Sequence, residues 1–113
     1  PLNDDDRYDW LMKIKNEILK RGKTQNLVVT CSALKKKYRS ILGVQDYTLV
    51  YLKISKKTAQ KRIKSRQGHF MPDSLVDSQF AILEEPQNSI ILDESLKVDE
   101  MVQKLISIFR TTN

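Results

Sequence analysis

The chain has 113 residues, a formal net charge of +6, 40% hydrophobic residues and 30% charged ones, which suits one folded globular domain rather than a disordered segment. One cysteine and one histidine exclude an internal disulfide, a thiolate zinc cluster and a multi-histidine metal site. The cationic excess suits nucleic acid, an acidic membrane surface or small anions such as nucleotides and sugar acids, and composition does not choose among them.

In chain order, Asn3 or Asp4 is placed to cap a first helix whose opening turn is acidic at Asp4, Asp5 and Asp6. Leu11, Ile14 and Ile18 give this helix an apolar stripe. Lys20 and Arg21 suit its last turn, and Gly22 is the expected left-handed residue beyond it. "LVVTC" (27–31) is a short apolar run that reads as a buried strand. Ser32 is placed to cap a second helix, with Leu34, Tyr38, Ile41 and Leu42 on one face and Gly43 closing it. "YTLVYLKI" (47–54) reads as a second strand. Ser55 then caps a basic helix to about Arg66, and "GHFMP" (68–72) interrupts it. Ser74 with Asp77 resembles a capping box for a helix carrying Leu75, Val76, Phe80 and Leu83, which Pro86 ends. "SIIL" (89–92) is a third strand, and Val98, Met101, Val102, Leu105 and Phe109 mark a last amphipathic helix. Strands alternating with helices predict an α/β fold with a parallel sheet. No apolar run is long enough to span a bilayer and no signal peptide is visible, although the chain opens on Pro1 rather than methionine.

"GKT" at Gly22–Thr24 looks like the end of a phosphate loop, but Glu17 stands where that motif needs its first glycine, and a helix, not a strand, precedes it. Arg7 opposes the dipole of the first helix and lies four residues before Leu11. Either it pairs with a neighbouring aspartate or it points inward to grip a carboxylate. After the 27–31 strand, Ser32, Lys35 and Arg39 stand at the carboxyl end of the predicted sheet, where open α/β folds bind ligands. The plainer alternative for Lys35 and Arg39 is a solvated basic face. Cys31 reads as a small buried residue, and His69 as a lid or loop histidine. The Lys/Arg-rich stretch from Lys53 to Arg66 suits a nucleic-acid stripe, but no aromatic residue interleaves its helical part.

"PLNDDDRYDWL" (1–11), "CSALKKKYRSIL" (31–42), "VYLKI" (50–54) and "RIKSRQGHFMPDSLVDSQFAILEEP" (62–86) occur here in the order in which gluconate kinases carry them. The chain resembles that family, related to shikimate and nucleoside monophosphate kinases, over nearly its whole length, thinning after Pro86. Asp9 departs from the family's usual proline before the tryptophan. The family's opening strand, phosphate loop, its helix and a second strand with a basic aspartate would precede Pro1. The resemblance therefore implies a parallel-sheet P-loop kinase (nucleoside monophosphate kinase-like) fold, incomplete, lacking the first two strands and the P-loop: a fragment, splice variant or mispredicted gene.

The resemblance further implies one partial kinase domain over 1–113, with a sugar-acid-binding helix at 3–21, core strands and helices at 27–66, a lid at about 62–73 and a C-terminal helix–strand–helix at 74–111. Arg7, Ser32, Lys35, Tyr38, Arg39 and His69 would bind the sugar acid. Arg62 and Arg66 would bind nucleotide, Arg66 acting as the catalytic lid arginine beside Gly68. ATP and Mg²⁺ are the implied cofactors, with no metal ligand in this stretch. D-gluconate and ATP are the implied partners, without nucleic acid or membrane, in the cytoplasm, and with room for a homodimer. A non-catalytic pseudo-kinase fragment and a basic nucleic-acid-binding module are the competing readings.

Overall fold

The computed structural model describes residues 4–65 and 73–111. In chain order the elements are α1 (Asp4–Gly22), α2 (Lys36–Leu42), a 3₁₀ turn (Val44–Asp46), β1 (Val50–Lys53), α3 (Lys56–Ser65), α4 (Asp73–Ile82), β2 (Ile90–Asp93) and α5 (Val98–Thr111). Strands β1 and β2 pair in parallel, Val50 opposite Ile90 and Lys53 opposite Asp93. A parallel pair needs a long crossover, and α3 and α4 supply it. The α/β class with a parallel sheet is therefore present.

Helix α1 has acidic residues in its first turn and Lys20 and Arg21 in its last, each complementing the nearby end of the macrodipole. Leu11 is fully buried and packs with Tyr38 and Leu42 of α2, with Ile14, Cys31, Ala33, Ile41 and Val44 around them. This apolar contact fixes the two helices against each other. Helix α2 stops at Gly43, whose φ of 80° lets its N–H donate to the carbonyls of both Arg39 and Ser40. Ser55 caps α3 as expected, its Oγ accepting from Thr58 N–H at 3.1 Å.

Four local expectations differ. Residues 27–31 belong to neither strand, and Val28 is 95% exposed. A strand exists by pairing, and no described strand lies beside this segment. Helix α2 starts at Lys36 rather than just after Ser32; Lys35 is its N-cap and makes no side-chain capping bond. Gly22 ends α1 without the left-handed conformation expected of it, which among the described glycines is found at Gly43. Helix α4 begins at Asp73, so Ser74 lies inside it, and Asp77 pairs with Lys56 of α3 at 2.6 Å instead of closing a capping box. No described helix is long and apolar enough to cross a membrane.

Candidate functional site

The first turns of α1 and α2 bring together four of the side chains that surround Tyr38. Tyr38 Oη donates to Asp4 Oδ1 at 2.7 Å. A phenol has one proton, so the same oxygen accepts from Arg7 Nη1 at 2.8 Å. Lys37 Nζ donates to Asp4 Oδ2, and Lys35 Nζ lies 3.9 Å from Asp4 Oδ1. Arg7, Lys35 and Lys37 also stand 5.5, 5.6 and 5.9 Å from the centre of the Tyr38 ring, within cation–π range. Tyr38 is buried in the α1–α2 core, and its hydroxyl emerges among these charges.

The hydrogen bond from Lys37, then that from Tyr38, hold the Asp4 carboxyl down at about 2, with the Lys35 and Lys37 charges adding to them. The same bond raises the Lys37 ammonium. The cluster thus holds a carboxylate, and the carboxylate is the chain's own. Sequence reading took Asp4 as a helix cap or a dipole complement. Its contacts lie more than thirty residues away, and no local signal shows them.

Arg39 is directed elsewhere. Only 7% exposed, it donates through Nη1 to the Ala33 carbonyl at 2.9 Å and through Nη2 to the Glu84 carbonyl at 2.8 Å. Glu84 completes the junction: its N–H donates to the Leu34 carbonyl at 2.8 Å and its Oε1 accepts from Lys36 N–H at 3.1 Å. That carboxylate does for α2 what Ser32 was expected to do. An open depression of about 660 Å³ adjoins the junction, lined by Lys35, Lys36, Lys37, Ser40, Ile82 and Glu84.

Arg7, Lys35 and Tyr38 are therefore assembled, while Arg39 braces the turn that carries Lys35. Ser32 is exposed in the segment before α2, and Arg62 is exposed on α3. Arg66, Gly68, His69 and most of the expected lid lie outside the described residues. Burial raises the Cys31 thiol, which fits a packing residue rather than a nucleophile.

The chain resembles a gluconokinase from Sinorhizobium meliloti 1021 at 33% identity with a TM-score of 0.77, covering 95% of this chain and 63% of that one. A sugar kinase from Janibacter sp. HTCC2649 matches at 33% identity and 0.78, over 95% of this chain and 65% of its own. Both carry the P-loop kinase fold, and the two-stranded parallel sheet with its helices is a part of that fold. The fold thus places the chain in the P-loop kinase class, of which it carries a part.

Among curated relatives, the probable gluconokinase of Saccharomyces cerevisiae is 43% identical over 93 residues, covering 76% of this chain and 48% of that protein. The thermoresistant gluconokinase of Escherichia coli is 32% identical over 117 residues, covering 97% of this chain and 67% of its own length. No family model matches the chain. The chain belongs to the gluconokinase family, and it spans about half to two thirds of the length of these relatives.

Proposed function

We propose that the chain serves ATP-dependent phosphorylation of D-gluconate to 6-phospho-D-gluconate in the breakdown of sugar acids, in the cytoplasm, and that these residues form the sugar-acid side of the site. The observation that carries this reading is the convergence of Lys35, Lys37 and the Tyr38 hydroxyl on a carboxylate, with Arg7 on that same hydroxyl, in a member of the gluconokinase family. Arg7 and Lys35 orient the gluconate carboxylate, and Tyr38 fixes the Arg7 guanidinium. Ser32 serves the sugar hydroxyls. Arg39 acts through the turn at 33–35 rather than by touching substrate. Arg62 serves the nucleotide, Arg66 the nucleotide and the transferred phosphate, and His69 the sugar acid.

The ATP triphosphate and its metal ion do not fit the residues present. The sequence contains no GxxxxGK[ST] loop. Among the described residues no group of three His, Cys, Asp or Glu side chains is placed to hold a metal ion. Phosphoryl transfer consists mostly of positioning and charge neutralisation, and this chain supplies those functions at the acceptor end.

The test is a chimera that places the N-terminal segment of the Escherichia coli thermoresistant gluconokinase ahead of Pro1. It is expected to phosphorylate gluconate with ATP in a coupled assay, while the 113-residue chain alone gives no turnover. In the chimera, Arg7→Ala should raise the gluconate KM about ten- to hundred-fold with the ATP KM little changed, as loss of a charge-assisted bond predicts. A folded chimera without gluconate turnover, or an unchanged gluconate KM in the variant, contradicts the reading.

A further inference from the structure

We propose that the Asp4 carboxylate holds the seat that a ligand's carboxylate takes, so that the unliganded site is closed by the protein's own anion. The inference rests on the sugar-acid reading above and adds how the site is kept when empty. The structure shows the bonding that a bound carboxylate would have: a phenolic hydrogen bond at 2.7 Å, a lysine hydrogen bond from Lys37 and a second lysine, Lys35, at 3.9 Å. Arg7 stands behind the phenol at 2.8 Å. Two lysines and a phenol converge on one carboxylate, more than a structural ion pair between two helices requires.

The occupant is also replaceable. The Asp4 side chain is 50% exposed, so water solvates it as soon as it leaves. The helices and the turn that carry the cations are held by other contacts as well. Arg7 and Tyr38 ride on α1 and α2, which Leu11, Tyr38 and Leu42 pack together, and the turn carrying Lys35 is held by Arg39 and Glu84. A ligand that enters exchanges one carboxylate for another at nearly constant local charge. A simple carboxylate gains little by that exchange, whereas a polyhydroxy acid brings further hydrogen bonds. The device thus favours sugar acids over small carboxylates.

The experiment compares the 113-residue chain with its Asp4→Asn variant, below any concentration at which either self-associates, titrating gluconate, acetate and, as a neutral control, glucose. Asparagine keeps an acceptor for Tyr38 and removes the competing charge. The variant should bind gluconate about tenfold tighter and acquire measurable acetate binding, with glucose unaffected in both proteins. Equal or weaker binding of both acids by the variant overturns the proposal, even where the parent chain binds gluconate and the sugar-acid reading stands. Gained acetate binding with gluconate no better than acetate upholds the seat and removes the sugar-acid reading instead. A second measurement needs no variant: saturating gluconate or acetate must shift the Asp4 side-chain carboxyl ¹³C resonance of the unaltered chain. An Asp4 resonance that stays fixed while those of Lys35 and Lys37 move overturns the proposal.

Discussion

Arg39 is seated among main-chain carbonyls, and its planar fork reaches Ala33 and Glu84 at once. An ammonium is a point donor on a flexible stem and does not reproduce that geometry. Arg39→Ala should therefore destabilise the chain by about 1.5–3 kcal/mol, the usual range for a hydrogen bond to a charged group. Arg39→Lys should recover only part of this. Urea unfolding midpoints decide it, and midpoints matching the parent for both variants would return Arg39 to a solvated face. Asp4 gives a prediction in pH. Its carboxyl is held below its ordinary value of 3.8, at about 2, so its bonds to Lys37 and Tyr38 are complete above 3.8 and disappear as pH falls through about 2. The α1–α2 contact should be indifferent to pH between 7 and 5 and loosen across that acid window. Amide exchange of α2 reports it, and the Asp4→Asn variant should lack this acid step.

At the scale of elements, α2 is short and starts without a side-chain cap of its own. Glu84 supplies the acceptor from beyond the end of α4, which ties the helix that follows the lid region to the helix that carries Tyr38. Glu84→Ala should cost about 1 kcal/mol, the typical worth of a cap, and Glu84→Gln should restore most of it because an amide oxygen still accepts from Lys36 N–H. Thermal melts of the pair check this; equal losses in both would assign the effect to charge rather than capping. Local chemistry made several elements legible in the sequence. Gly43 alone suits a φ of 80°, Ser55 precedes a run with a free first turn, and two β-branched runs separated by helical pattern gave the parallel strands. What stayed illegible depends on distant partners. Ser32 is a good capping residue, but Glu84 holds that end of α2. Residues 27–31 have strand composition and no described strand to pair with. Arg7 and Lys35 stand out by position and spacing, each with a plainer alternative, and the resemblance adds Tyr38, while Asp4 reads only as a cap or first-turn acid because its ligands are on another helix.

Across the whole molecule, part of the exposed apolar surface lies where a sheet would continue. Val28 is 95% exposed, Leu52 on β1 is 61% exposed, and Val29 and Ile91 are also open. The resemblance to gluconate kinases implies a strand between the segments 27–31 and 47–54, and the two most exposed of these side chains lie on those two segments. An unpaired edge with apolar side chains is a template for another chain. The 113-residue chain should therefore self-associate as its concentration rises and bind a hydrophobic dye in its native state. Val28→Lys combined with Leu52→Lys should weaken both effects while leaving stability within about 0.5 kcal/mol, because both side chains are already outside the core. The lysines act as edge strands of natural sheets do, by making apposition of two copies costly in charge. Sedimentation velocity over a concentration series measures the association. A parent chain that stays monomeric throughout and binds no dye would contradict the exposed apolar edge.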